Sequence, residues 1–490
     1  MKNRFSKYIV ATLIFSGAAS LTSCEKEFLD DPKPTDSVSS IDAFSNEQSV
    51  RAYFTGVYNQ LRSWYVNHDT DGAKSYDLAF DLMGNDFIQP VNNWYGFDYQ
   101  NDNRNSTYRR VSFTWNFHYN QINDANLILE GIQTADIPAS SKTAFEAEAK
   151  AIRAWAYFNL IRAYQHTYLK DKAAPGVPIY TTPTTAETKG NPRASVEEVY
   201  ALITSDLEFA VQNLNNTSRG TKKFEISKSV ASGLLARAYL TMGEWAKAEN
   251  AAFTALASYG VAANTYTEAN IVKALRAADY ATGFNDDQKA EWLWGLPERA
   301  DQSLYYRSFF SHIDMDRTAG YKSIYMNTDF VNLFSATDVR KLFVTKSNGF
   351  TATTKFRDFS DLSGDFVMMR SAEMVLIIAE ARAEQADLTN AKAVLYSLQK
   401  NRDPNAIMSA NAIKDAIINE ILVERRKELY GEIGVQVQDV KRRQLSLTRT
   451  GSHRAALRVT YPSNWKNFIY QIPSTEIDIN ENIGPEDQNE

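Results

Sequence analysis

The stretch SVASGLLARAYLTMGEWAKAENAAFTALASYG, Ser229 to Gly260, decides the fold. Leu234, Leu235, Ala238 and Tyr239 recur at three- and four-residue spacing, which places them on one face of a helix. Gly243 stops that helix. A second begins at Glu244, with Trp245, Ala248, Ala252, Ala255 and Leu256 as its apolar stripe and Gly260 as its stop. The small alanines let the two backbones approach closely, so the pattern predicts a helical hairpin.

A lone hairpin cannot bury both faces and needs neighbours. AWAYFNLIRAYQ (Ala154 to Gln165) supplies the first helix of such a unit, and VLIIAEARAEQADLTNAKAVLYSL (Val375 to Leu398) supplies a whole one. Leu235, Ala238, Tyr239, Gly243, Trp245 and Ala248 stand where the tetratricopeptide pattern wants them. The expected fold is mainly α: a tetratricopeptide-like helical-repeat scaffold with large irregular insertions and a few short strands. Function is expected in the insertions.

The chain has 490 residues and a formal charge of −6. Its amino terminus reads as a targeting segment, with Lys2, Arg4 and Lys7 ahead of an apolar core at residues 8–21 that is short for a membrane span. Removing residues 1–23 takes away those three cations and leaves −9. Such a charge argues against nucleic acid as a partner. Leu21-Thr22-Ser23-Cys24 resembles a bacterial lipobox, and Cys24 is the only cysteine, so no internal disulfide can form. Acylation of Cys24 would anchor the body to a membrane, with the polar residues 24–40 as tether and 41–490 as one domain.

Helices are expected at 46–64, 114–132, 142–168, 195–214, 370–385, 389–401 and 412–430, besides the hairpin. The insertions are expected at about 65–110 and 262–363, the second holding a strand at 291–296. Ser195 and Glu198 form a capping box. The basic run at 441–443 and the pair Asp77/Asp81 read as solvated helix faces. The segment at 469–480 reads as extended and ending in a short turn.

Taken in order, several motifs resemble the SusD/RagB family of Bacteroidetes outer-membrane lipoproteins. They are the lipobox with FLDDPKPT after it, Trp115-x3-Tyr119-x2-Ile122-x3-Asn126, AKAIRAWAYFNLIRAY followed by GVPI at 176–179, and SVEEVYALITSDLEFA. The hairpin itself, Arg370-x-Ala-Glu with Glu380, ERRKE at 424–428, and Ile472-Pro-x2-Glu476 with Asn480 complete the set. The chain departs from the family after ERRKE, where GEIGVQVQD (431–439) lacks the usual arginine and tryptophan, and at Gly484-Pro485, which only loosely matches the family's ending. The resemblance implies a non-enzymatic, cell-surface binding protein. It would capture an oligosaccharide, or a peptide in the RagB branch, and deliver it to a SusC-like TonB-dependent outer-membrane transporter.

Sugar rings stack on flat aromatics, and their hydroxyls seek amide, carboxylate or arginine partners. Asn92, Asn93, Trp94 and Tyr95, with Trp64, Tyr65 and Asp69 just before them, offer that mixture in the first insertion; Tyr305, Tyr306, Arg307 and Tyr321 offer it in the second. Any of these rings could instead pin its loop to the scaffold. Trp292 and Trp294 share a strand face and, like Trp115, Trp155 and Trp245, are expected in the core. No catalytic residue, metal site or cofactor is expected. The five histidines (68, 118, 166, 312 and 453) are scattered, and Asp69-x-Asp71-Gly72 lacks the spacing of a calcium loop and reads as a turn. A peptide-binding helical scaffold and a glycan-degrading enzyme remain as alternatives.

Overall fold

The computed structural model describes residues 43–316, 319–358 and 361–489. The targeting segment, Cys24 and the tether lie outside the described residues. In chain order the main helices are α1 (Glu47–Ser63), α2 (Gly72–Met83), α3 (Arg109–Thr134), α4 (Ala139–Tyr164), α5 (Val196–Asn213) and α6 (Lys228–Met242). They continue as α7 (Trp245–Leu256), α8 (Ser371–Glu384), α9 (Leu388–Arg402), α10 (Lys414–Leu429), α11 (Val435–Arg442) and α12 (Ser474–Ile479). From α3 to α9 each helix packs on its sequence neighbour, and α10 turns back onto α8 and onto α11, which meets α2.

Local chemistry sets the boundaries. Ser195 Oγ accepts from the Glu198 amide at 3.2 Å while the Glu198 carboxylate accepts from the Ser195 amide at 2.8 Å, the reciprocal cap that opens α5. Gly243, at φ +76°, ends α6 in the left-handed region. Ala238, Ala248, Ala252 and Ala255 are fully buried between α6, α7 and their neighbours, as the hairpin reading requires. Trp115, Trp155, Trp292 and Trp294 are core residues, whereas Trp245 is only partly buried. The 469–480 segment, expected to be extended with a short turn at its end, is instead helical over half its length, as the six-residue α12.

Two small sheets tie the insertions to this frame. Trp292–Leu296 pairs antiparallel with Phe366–Arg370, Leu296 opposite Phe366 and Trp292 opposite Arg370, and that second strand runs directly into α8. The other sheet stitches the two insertions together: Phe87–Ile88 pairs with Tyr325–Met326, which pairs with Thr351–Thr353 and then Phe343–Thr345.

Beneath the insertions lies a buried ionic network. Glu428 receives Arg370 and Arg402 at 2.9 Å each and Arg340 at 3.0 Å. Arg370 also reaches Glu291 at 3.0 Å and Glu432 at 2.7 Å. The guanidinium groups hold the Glu428 carboxyl well below its usual range despite burial. The Arg370 and ERRKE motifs are thus two halves of one ion cluster, and Glu380 takes Arg442 at 2.6 Å.

The structure overturns three further expectations drawn from the sequence. The first insertion is not irregular throughout: α2 is buried around almost its whole circumference, which erases the one-sided periodicity that marks a surface helix. Asp81 on it is buried and Asp77 nearly so, with burial pushing Asp77 up to about 6, so the pair is no solvated face. Lys441 and Arg442 are likewise buried; Lys441 donates to the Phe468 carbonyl at 2.8 Å.

Candidate functional site

The site begins at a tight turn. Tyr65 pairs with Asp71 and Asn67 with Thr70, leaving His68 and Asp69 at the tip. Gly72 follows at φ +60°, and a Cβ there would stand 2.4 Å from the Arg62 carbonyl oxygen. Only glycine lets the chain leave this turn directly into α2.

His68 joins the two insertions. Its carbonyl accepts from His312 Nε2 at 3.0 Å, and its Nδ1 shares a 2.9 Å hydrogen bond with the Tyr321 hydroxyl. Its ring stacks on Trp94 at 5.0 Å and 12°. Tyr321 completes the cluster, edge-on to Trp94 at 6.1 Å and to Tyr306 at 5.7 Å, with its ring stacked on His312 at 4.9 Å. Burial pushes His312 down to about 3, so it is neutral and donates through Nε2.

Arg307 borders this cluster. Its guanidinium lies 4.5 Å from the Tyr65 ring centre, and its Nε stands 3.3 Å from Asp71 Oδ2. Burial pushes Asp71 up to about 7 against the pull of Arg307 and Arg62. Glu298, which pairs with Arg62, is pushed up to about 7 by the same cause.

The predicted residues therefore separate by role. Tyr65, Tyr305 and Tyr306 are 44%, 66% and 47% exposed, and Trp94, Arg307 and Tyr321 are half-buried around His68. Tyr305 takes a left-handed φ of +48°, a costly conformation for a bulky residue and one that concentrates at functional sites. Tyr95 is a correction: at 1% exposure it cannot touch a ligand, because its ring sits edge-on beneath His312 with the Arg110 guanidinium over it. Asp69 is a second correction, fully buried and bound by Arg109 at 2.6 and 3.1 Å. Asn93 Oδ1 accepts from the Trp94 amide at 2.7 Å, and Asn92 Oδ1 from Arg454 at 2.8 Å, so both asparagines hold the loop while their side-chain amide protons have no partner among the described residues. His68 was not among the expected site residues, and neither was Arg109, which lies against the Trp94 ring at 5.7 Å. A single histidine three residues after Tyr65 carries no pattern that marks it.

Trp64 stands apart from this group. It lines a groove of about 510 Å³ between α3, the 180–190 segment and α12. A smaller space of about 50 Å³ beside α4 and α11, with a mixed polar and apolar lining, has room for a few waters, not for a sugar. Among the described residues, carboxylates that could hold a metal gather at Asp286, Asp287 and Asp365. Asp365 already accepts from the Asp287 and Glu298 amides at 2.7 Å each.

Exposed tyrosines and a tryptophan set among arginine and amide groups can stack on a ring face and bond hydroxyls. Comparison with known proteins agrees with the fold. A family model described as starch-binding and associating with the outer membrane matches residues 27–240, and one described as SusD family matches residues 322–489. A SusD-like protein of Bacteroides ovatus is 23% identical over 248 residues, half of this chain but only 40% of that relative's length. SusD-like protein P2 of Formosa agariphila is 24% identical over 420 residues, 76% of this chain and 80% of the relative. Among solved structures, a SusD-like carbohydrate binding protein from Bacteroides vulgatus superposes with a TM-score of 0.81 at 26% identity, covering 91% of this chain and 99% of that one. A SusD superfamily protein from Bacteroides thetaiotaomicron shares the fold at 0.77 and 23%, covering 91% and 100%. The two family models lie in order along the chain and between them cover most of it, and the helical array matches in space: this chain belongs to the SusD/RagB family.

Proposed function

We propose that the chain is a carbohydrate-binding protein of the outer membrane that captures an oligosaccharide at the Tyr65–Trp94–Tyr306–Tyr321 patch. The observation that carries this reading is the meeting of two insertions, some 240 residues apart in sequence, around His68 to form one partly exposed aromatic surface. The names of its relatives, starch-binding and carbohydrate-binding, support the ligand class. No helix among the described residues is long and apolar enough to cross a membrane, which fits attachment through lipid on Cys24. The chain would face the cell exterior and hand its ligand to a SusC-like TonB-dependent transporter, with the helical array as the surface resting on that barrel. It binds without turnover.

The test is calorimetric titration of the wild-type chain and Trp94→Ala with malto-, cello-, xylo- and fructo-oligosaccharides, with product release followed in parallel. Binding without products, weakened by Trp94→Ala, supports the reading. Binding of peptides and of no glycan would move it to the RagB branch, and product release would make it an enzyme.

A further inference from the structure

The groove that holds Trp64 runs along α3 away from the aromatic patch. Arg109, Asn116, Asn120 and Asn123 lie on one face of that helix, within about 60° of one another at 3.6 residues per turn. Arg109 ends at the patch, where it binds Asp69 and lies against Trp94. Asn116 stands about 10 Å further along the helix, in the groove.

The groove walls carry unused hydrogen-bonding capacity. Asn116 is exposed and bonds to no other described residue. Asn123 Oδ1 accepts from the Thr184 amide at 2.7 Å and from its hydroxyl at 3.1 Å, which leaves the Asn123 amide nitrogen without a partner among the described residues. Asn120 donates to Gln60 and Asp124 and leaves its oxygen in the same state. Trp64 and Tyr180, both partly exposed, add flat surfaces among these amides. The volume of about 510 Å³ lies within the ordinary range of ligand sites. The one lining carboxylate, Glu476, already accepts from Trp115 Nε1 at 3.2 Å and Asn480 Nδ2 at 2.7 Å, and the amides and flat rings around it suit an uncharged polyhydroxylated ligand, whose hydroxyls both donate and accept.

We infer that this groove is a second carbohydrate subsite, continuous with the aromatic patch, so that one extended oligosaccharide lies across both. The patch stacks one part of the ligand, and the α3 asparagines bond hydroxyls of the part beyond it. This inference rests on the carbohydrate reading of the patch. It adds a requirement for ligand length that the patch alone does not impose.

The experiment titrates three chains with maltose through maltoheptaose and the matching cello-, xylo- and fructo-oligosaccharide series: wild type, Asn116→Trp and Trp94→Ala. Asn116 is exposed, so the tryptophan fills the groove without entering the core, and Thr188→Trp on the facing wall serves as a second block. The wild-type chain should gain affinity with ligand length. Both blocking variants should keep wild-type affinity for the shortest ligand that binds and lose the gain from length, by about tenfold or more for the longest. Trp94→Ala should weaken every length. A length profile in the blocking variants that matches wild type, or a wild-type affinity that does not change with length, overturns the second subsite and leaves the proposed function standing. Absence of binding to every sugar in the wild type overturns both.

Discussion

His68→Ala should weaken ligand binding through residues that the substitution does not touch. The imidazole stacks under Trp94 and shares a hydrogen bond with Tyr321, while the 3.0 Å bond from His312 goes to the His68 backbone and survives. Removing the ring forfeits the stack on Trp94, about 0.5–1.5 kcal/mol, the weaker edge contacts to Tyr65 and Tyr321, and one partly exposed hydrogen bond of about 1 kcal/mol. His68 is half-buried at a turn tip, so alanine leaves no sealed cavity, and the loss of fold stability should stay near ~1–2 kcal/mol. In binding, Trp94 and Tyr321 must then be ordered by the ligand at about 0.5–1.5 kcal/mol each, a total of about 1–3 kcal/mol or roughly five- to 150-fold in Kd. His68→Phe keeps the stack and loses only the hydrogen bond, so it should fall between wild type and alanine. Calorimetric titration with the best-binding oligosaccharide gives the affinities, and urea unfolding gives the stability. A His68→Ala chain that binds as wild type does would refute the idea that this side chain organises the surface.

Asp71 makes the site sensitive to pH. Its folded value of about 7 lies above the ordinary aspartate value, so its contribution to stability is full below about pH 4 and is lost as pH rises through 7. Asp71→Asn should therefore gain stability relative to wild type between pH 5 and 8 in urea unfolding, and an unchanged difference would contradict the burial argument. Charging Asp71 also strengthens its hold on Arg307 beneath Tyr65, so wild-type affinity should rise from pH 6 to 8 while that of Asp71→Asn stays flatter. Glu428→Gln removes the charge that Arg340, Arg370 and Arg402 share inside the protein and should cost about 3–5 kcal/mol in urea unfolding. A cost below about 1 kcal/mol would show that the cluster does not fasten the second insertion to the helices.

The repeat frame was legible because its signals are local. A hairpin with alanines on the facing stripe and glycine at its stop can be read from thirty residues, and so can the Ser195–Glu198 cap. What escaped depends on partners distant in sequence. α2 is surrounded by α1, α11 and the first turn of the site, and burial on every side removes the contrast that periodicity needs. Lys441, Arg442 and Asp81 look like surface charges until the chain supplies acceptors or neighbours from far away, the Phe468 carbonyl for Lys441 and Glu380 for Arg442. At the site the residue types were readable but their depth was not. Tyr95 and Trp94 are adjacent, yet one lies under His312 and the other reaches the surface, and only the path of the second insertion decides which. His68 joins both insertions through bonds to His312 and Tyr321, more than 240 positions away, and nothing in its own neighbourhood announces that role.

The most direct test is a crystal structure of the chain with a bound oligosaccharide chosen by titration. A sugar ring should pack against the Tyr65, Trp94, Tyr306 and Tyr321 surface, with Arg307 or the Asn92–Asn93 amides on its hydroxyls. A ligand seated elsewhere on the helical array, with that surface left bare, would contradict the proposed function.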